Sequence, residues 1–442
     1  MVQHAADGLV TPDRLGQVKV EFNEDRLVSD AGLLLTATLA DRLGLEDLVN
    51  ESVWLPYRTP GAALPGRKVM SLVHGMIAGA DSIDDMDVLR AGSTSLVLGH
   101  QVMAPSTLGT FLRAFSFGHV RQLDRVLDVL VKRAWAAGAG PGDGPLVIDL
   151  DSFVGEVHGY QKEGAAYGYT RKFGYHPILA TRTDTGEALH IRCRKGSANT
   201  QRGAERFVEE LLARVRRAGH VGLVVLRADS GFENHQLMRR LDQQGIEFSI
   251  GIKQSKTVKA LIAQIPDTDW KEVTDYPEAG EAQVAEVPFK GFRLIVRRTR
   301  LSDPDQLKLW PDWRHHAFVT NRTCPSALVA DIDHRHHATI EQVIRDLKDQ
   351  ALAHFPTGKF AANMAWTVIA AIAHNLARWT SLIGQPTATV QTASTRRRQL
   401  LQIPGRIVRT ARVWTLRLPA RWPWQAEFLA VLSRLRALPT LC

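Results

Sequence analysis

Leu146-Val147-Ile148-Asp149-Leu150-Asp151-Ser152 is an apolar run carrying two acids, set just after the glycine-rich residues 137–145 that end a helical pattern. Extended through Phe153 to Val154, it reads as a buried strand opening a new unit at about residue 145. Side chains two apart on a strand share a face, so Asp149 and Asp151 point the same way. Two like charges on one side of an apolar strand are costly unless a cation or donors compensate. That points to a metal site. The alternative is that one aspartate faces solvent past the sheet end while the other caps a turn.

Working outward, residues 178–182 and 188–194 flank Asp184-Thr185-Gly186 and read as a hairpin. Residues 200–217 carry Phe207, Leu211, Leu212 and Val215 at helical spacing, and 221–228 form an apolar strand of the kind buried on both faces. A helix over 234–244 and a strand over 247–252 follow. The order is three strands, helix, strand, helix, strand, which defines an α/β unit. Upstream, residues 31–135 are helical in pattern, with Leu123, Val126, Leu127 and Leu130 on one face. Downstream, 253–311 break into short alternating strands, including 283–288 and 292–298. A last strand at 317–320 precedes helices over 334–352 and 360–379. The expected segments are 1–136 (a helical front whose helix opening at Pro105-Ser106-Thr107 could present Arg113 to DNA as a DNA-binding domain, with a plain packing helix as the other reading), 145–252 and 313–385 (the two parts of the α/β core), 253–312 (a β-rich insertion) and 391–442 (a basic tail).

The chain has 442 residues and a formal net charge of +9, which favours a polyanionic partner such as nucleic acid. Residues 396–442 hold ten arginines, no lysine and the single acid Glu427, a balance equal to the charge of the whole chain. Trp414, Trp422 and Trp424 stand among Arg396, Arg397, Arg398 and the later arginines, a mixture suited to gripping phosphates. The other reading is a solvated basic face with its tryptophans in a small core. The three cysteines, Cys193, Cys324 and Cys442, form no CxxC pair, so no disulfide framework or cysteine zinc site is indicated, and a cytoplasmic location fits. Met1 to Val10 does not read as a secretory signal. The apolar stretch 361–377 is interrupted by Asn363, His374 and Asn375 and reads as a buried helix, so no membrane partner is expected.

Two more acids stand out. Asp229 follows Leu223-Val224-Val225-Leu226 and precedes Ser230-Gly231-Phe232, at the end of a buried strand where α/β crevices form; a capping role is the alternative. Glu341 sits on the 334–352 helix beside an apolar stripe of Ile340, Ile344, Leu347 and Ala351. On the helical wheel His334, His337, Arg345 and Lys348 fall within about 40° of it. A solvated face with an ordinary Glu–Arg pair is the other reading.

In combination these stretches resemble an insertion-sequence transposase of the group 1 DDE type, within the ribonuclease H-like, retroviral integrase-like superfamily. The matching segments are Ile148-Asp149-Leu150-Asp151-Ser152, Gly174-Tyr175-His176-Pro177, Arg227-Ala228-Asp229-Ser230-Gly231-Phe232, Ile340-Glu341 through Leu347-Lys348, and Ala373-His374-Asn375-Leu376. Residues 81–90, 105–111 and Trp422-Pro423 fit as well, so the resemblance covers nearly the whole chain. It implies a mixed five-stranded sheet with helices, interrupted by the β-rich insertion, between a helical N-terminal domain and a basic C-terminal region. The catalytic, metal-binding acids are implied at Asp151, Asp229 and Glu341, with Asp149 as rival and additional ligand; Asp151 is preferred because related transposases place a hydroxyl residue, here Ser152, after the acid. The Tyr and Arg of the family's last-helix signature are replaced by His334 and His337, while Glu341 and Lys348 match. A zinc site from His334, His336 and His337 is disfavoured because they do not share a helical face.

The resemblance also implies two Mg²⁺ or Mn²⁺ ions and double-stranded DNA as partner, both terminal inverted repeats and target. It implies a homodimer in the synaptic complex and a bacterial, nucleoid-associated location. DNA contacts are expected from His334, His337, Arg345, Lys348, Lys162, Arg171, Lys172, Arg396, Arg397 and Arg398. A metal-dependent nuclease that cuts without joining, or an inactive DNA-binding derivative, are the competing functions.

Overall fold

The computed structural model describes residues 12–168, 171–274, 280–301, 313–323, 326–387 and 389–440. Met1 to Val10, Cys324, Cys442 and the end of the expected insertion lie outside them. The front of the chain is a short strand β1 (Leu27–Val28) followed by seven helices: α1 (Leu33–Arg42), α2 (Leu45–Ser52), α3 (Pro65–Ala78), α4 (Met86–Arg90), α5 (Thr94–Leu98), α6 (Pro105–Arg113) and α7 (Phe117–Ala134). The decisive stretch is β2 (Leu146–Ser152). A small sheet of β3 (Gly155–Glu156), β4 (Ala166–Tyr167) and β5 (Phe173–Tyr175) follows, then the hairpin β6 (Ile178–Arg182) and β7 (Ala188–Arg192). Next come α8 (Ala204–Arg217), β8 (Val224–Ala228), α9 (His235–Gln243) and β9 (Glu247–Gly251), in the order the hydrophobic pattern predicts.

The β-rich region departs from expectation. After α10 (Lys256–Ala263), the strands β10 (Lys271–Glu272), β11 (Gly280–Phe289), β12 (Phe292–Leu301) and β13 (Arg314–Thr320) do not form a separate sheet. β13 pairs with the otherwise open edge of β9, and the hairpin adds beyond it, giving nine strands in the order β10-β11-β12-β13-β9-β8-β2-β6-β7. The sheet is therefore almost twice the expected five strands wide. An uncovered edge of unpaired N–H and C=O groups is the physical reason a following hairpin joins it. β2, β8 and β9 run parallel to one another, and the remaining pairs are antiparallel.

The expected helix over 334–352 is broken in two. α11 (Ala327–Arg335) ends in a 3₁₀ turn, His336–Ala338, and α12 (Thr339–Lys348) begins after it. A single wheel drawn across 334–352 therefore does not describe one surface. On α12 the buried residues are Ile340, Val343, Asp346 and Leu347, so the apolar stripe is turned toward Val343 and away from half-buried Ile344.

α13 (Phe360–Gly384) is the centre of the molecule. Among the described residues it is the helix long and apolar enough to cross a membrane, yet it is buried on nearly every face. α3, α7, the C-terminal helix α15 (Gln425–Ala437) and the edge strand β7 all pack against it. One apolar core runs unbroken from Leu33 to Leu435, crossing the expected boundaries at 136 and 391. Polar clamps reinforce the join. The buried Glu187 accepts from Trp135 Nε1 at the end of α7 and from Trp379 Nε1 of α13 at 2.7 Å, and burial pushes its carboxyl up to about 7. On α7, Asp124 takes Arg214 of α8 at 2.7 Å.

The tail continues through α14 (Ala393–Arg396) into a hairpin, β14 (Gly405–Thr410) and β15 (Val413–Arg417), which pairs with β1 in a separate three-stranded sheet. Asp346 of α12 and Arg378 of α13 meet at 2.7 Å with both side chains about 4% exposed, and buried Arg396 is within electrostatic reach of the same carboxylate. Replacing Asp346 by Ala leaves two buried guanidinium groups without their anion, a class of change that costs roughly 3–5 kcal/mol. Urea unfolding of Asp346→Ala should show a loss of that size; a loss below about 1 kcal/mol, as for surface pairs, would mean the clamp does not hold α12 in place.

Candidate active site

β2 and β8 lie side by side and parallel, with Leu150 opposite Ala228. The residues just past that pair are Asp151 and Asp229. The sheet thus sets the two carboxylates together at the carboxyl ends of adjacent strands, the crevice position of an open α/β sheet. Asp229 begins a 3₁₀ turn, accepting from Gly231 N at 3.0 Å. Gly251 of β9 makes room for that turn, since a Cβ there would stand 2.7 Å from Ser230 N. Asp151 Oδ1 accepts from Ser152 N at 2.6 Å, and Ser152 Oγ lies 3.3 Å from Thr200 Oγ1. Burial, with Asp229 and Glu341 nearby, pushes the Asp151 carboxyl up to about 6. Negative charge there is only partly compensated.

Asp149 is different, although it shares the face of β2. It is fully buried, and Arg227 of β8, its neighbour in register, grips it with Nε at 2.8 Å and Nη2 at 2.9 Å. Thr183 at 2.6 Å, Thr339 at 3.1 Å and His337 Nδ1 at 3.1 Å complete its shell. Burial alone would raise this carboxyl, but His337 and Arg227 outweigh it and hold it below its ordinary value. With both oxygens occupied by five donors, Asp149 has no lone pair to offer a metal, which corrects its place among the expected ligands. A guanidinium inside an apolar strand requires a buried anion. Arg227 beside Asp229 was the readable signal for this pair.

Glu341 stands exposed in the first turn of α12, which packs on β2. A helix N-terminus favours a carboxylate and a second anion beside it. Asp229, Glu341, His334, His337, His316 and Lys253 line one open cleft of about 640 Å³. His334 belongs to α11, not α12. Its ring stacks on Phe318 with centroids 4.1 Å apart and its Nδ1 lies 2.8 Å from Ser249 Oγ. Burial and then the neighbouring cations push it down to about 3, so it is neutral and cannot act as the expected phosphate-binding cation. His337 sits in the 3₁₀ turn with Nδ1 committed to Asp149.

The expected basic contacts fall into three groups. Lys348 lies by Asp151, its ammonium 5.3 Å from the Phe153 ring centroid, and burial lowers its pKa. Lys162, in the loop between β3 and β4, donates to the Phe355 carbonyl, while just before β5 Arg171 is exposed with a left-handed backbone and Lys172 pairs with Glu156. Arg345 is exposed on α12 and bonds Gln342. In the tail, Arg396 is buried and pushed down to about 9 by that burial, and Arg397 pairs with Asp349 at 3.1 Å; of the three, Arg398 faces solvent. Arg396 is therefore structural, which corrects its expected role on DNA.

A hard divalent cation takes carboxylate oxygens, and the partly compensated charge at Asp151, Asp229 and Glu341 suits one. A closed single-ion trio has its ligand atoms within 4.8 Å of one another. Among the described residues Asp124, His190 and Glu210 meet that spacing. That trio already holds arginines: Arg214 and Arg121 on Asp124, and Arg121, Arg192 and Arg206 on Glu210. Its carboxylates are paired with those arginines as a brace between α7, β7 and α8.

A mixed α/β sheet with acids gathered at parallel strand ends and on a following helix is the architecture of an α/β protein with an acidic crevice. The chain belongs to the family described as Transposase DDE domain group 1, which matches residues 10–440. No curated protein matches it. Among solved structures it is similar to piggyBac transposase, seen by cryo-electron microscopy in a synaptic complex with hairpin DNA. The identity is 13% and the TM-score 0.47, over 94% of this chain and 84% of that one.

Asp151 yields a pH test. Its proton leaves near 3.8 in an unfolded chain and near 6 in the fold, so the folded state binds the extra proton between those values. The Asp151 contribution to the stability of the metal-free protein should fall as pH rises through that window and level off above it, against the opposite trend set by the buried histidines His74, His334 and His374. Asp151→Asn should remove this fall, giving a higher melting temperature than wild type above pH 6 in chelator; an identical pH profile would refute the shift.

Proposed function

We propose that this chain is an insertion-sequence transposase that binds transposon ends, cleaves DNA strands there and joins the freed 3′-hydroxyls to target DNA. The observation that carries the reading is the meeting of Asp151 and Asp229 at adjacent parallel strand ends, with Glu341 across the cleft and the Asp151 proton held by burial among like charges. In this reading Asp151, Asp229 and Glu341 hold two Mg²⁺ or Mn²⁺ ions. When bound, such ions activate an attacking hydroxyl and stabilise the leaving oxygen across a scissile phosphate.

The remaining roles fall to the chain itself. Asp149 and Arg227 brace β2 against β8 beneath the acids, so the two carboxylates keep their spacing. Lys348 is placed beside Asp151 to receive a phosphate oxygen, and Lys253 and Arg345 supply charge around the cleft. Water as nucleophile gives cleavage, and the 3′-hydroxyl it liberates gives joining at the same centre. No covalent protein intermediate is required. Two ends must be brought together, so the working species is a homodimer with double-stranded DNA, acting in the bacterial nucleoid.

Asp151→Ala, Asp229→Ala and Glu341→Ala should each abolish metal-dependent cleavage of a transposon-end duplex while leaving its binding largely intact, read by gel assay and by anisotropy. Full activity of Asp229→Ala would sink the assignment. Precleaved ends offered with target DNA should give joined product; cleavage without joining would make the chain a nuclease instead.

A further inference from the structure

The hairpin of β14 and β15 breaks several local rules at once. Arg406 and Arg417 are direct cross-strand partners, and like charges so placed repel. Its two-residue turn is Ala411-Arg412, with φ of 48° and 70°, a conformation that glycine or asparagine adopts more cheaply. Trp414 and Val413 are 52% and 63% exposed. Sequences tolerate such penalties together where something else is recognised.

The ribbon is anchored at one end only. Ile407 and Leu416, opposite each other, pack with Val28, Ala31 and Val97, and β1 pairs with β14 through Leu27 and Val28. Beyond that anchor the strands and turn are exposed. Alternation puts Arg406 and Arg417 on one face and Arg409 with Trp414 on the other, while Arg412 stands at the tip. Arg409 lies over the Trp414 ring at 5.2 Å, and Arg406 pairs with Glu24 at 2.9 Å. Among the described residues, Arg409, Arg412 and Arg417 have no carboxylate in ion-pair reach.

We infer that this ribbon enters a groove of duplex DNA, with Arg409, Arg412 and Arg417 on the flanking phosphates and Trp414 against sugar. Cations on both faces and at the tip do not suit a flat anionic surface, which would meet one face. They suit a slot with negative walls on either side, and the major groove admits a two-stranded ribbon. The choice of partner rests on the transposase reading. The contact lies away from Arg396, which the fold has buried, and from Arg397, which pairs with Asp349.

The test titrates the full chain with a mixed-sequence DNA duplex across a salt series, followed by anisotropy. Each phosphate contact contributes about 0.9 to the slope of log affinity against log salt. Arg409→Ser/Arg412→Ser/Arg417→Ser should lower the slope by roughly 3, while the matching triple lysine variant keeps it. Arg412→Glu, at a tip with no packing to lose, should weaken binding severalfold without moving the melting temperature. Wild-type slope in the serine variant, or wild-type binding by Arg412→Glu, overturns the inference, as does a change confined to self-association. A wild-type chain that shows no salt-dependent duplex binding overturns the transposase reading as well; retained cleavage with an unchanged slope overturns the ribbon alone.

Discussion

The fully buried pair of Asp149 and Arg227 organises everything around the acidic crevice. It joins β2 to β8 in register through two parallel hydrogen bonds. The same Asp149 receives Thr339 and His337, and Arg227 also donates to the Asp333 carbonyl. One ion pair thereby fixes the two strands that carry Asp151 and Asp229 and the turn from which the Glu341 helix departs. Its burial is affordable because each oxygen and most of the guanidinium protons have partners. The acids above it remain under-compensated because the cation beneath is already spent.

Much of this could be read from residues alone. Alternation and apolar runs placed β2, the β6–β7 hairpin, α8, β8, α9 and β9 nearly in full, since each is decided by local periodicity. The acid at the end of β8 followed from its position after an apolar run. Three features escaped for a common reason: they depend on contacts distant in sequence. The break at His336–Ala338 is invisible in a helical wheel, because every residue there remains locally compatible with helix and the turn is set by Asp149 far upstream. The pairing of Asp149 with Arg227 joins residues nearly eighty positions apart. The burial of Arg396 needed Asp346 and α13. A basic run looks the same in sequence whether its guanidinium groups face solvent or a buried carboxylate.

The helical front, the α/β core and the tail share one apolar cluster. α7, α3 and α15 share the surface of α13, and the bracing cluster of Asp124, His190 and Glu210 ties the front to β7 and α8. In that cluster carboxylates and arginines satisfy one another, which is why ligand-like spacing there signals cohesion between layers. At the sheet ends, by contrast, the acids lack such partners.

The central place of α13 has a consequence for how the molecule comes into being. The first seven helices cannot complete their apolar core until residues 360–384 have left the ribosome, so well over half of the chain is made before its middle exists. Contacts of such long sequence separation slow folding and leave apolar surface open meanwhile. Gene copies interrupted ahead of α13 would yield chains without a finished interior, prone to proteolysis rather than able to persist as rivals of the intact protein.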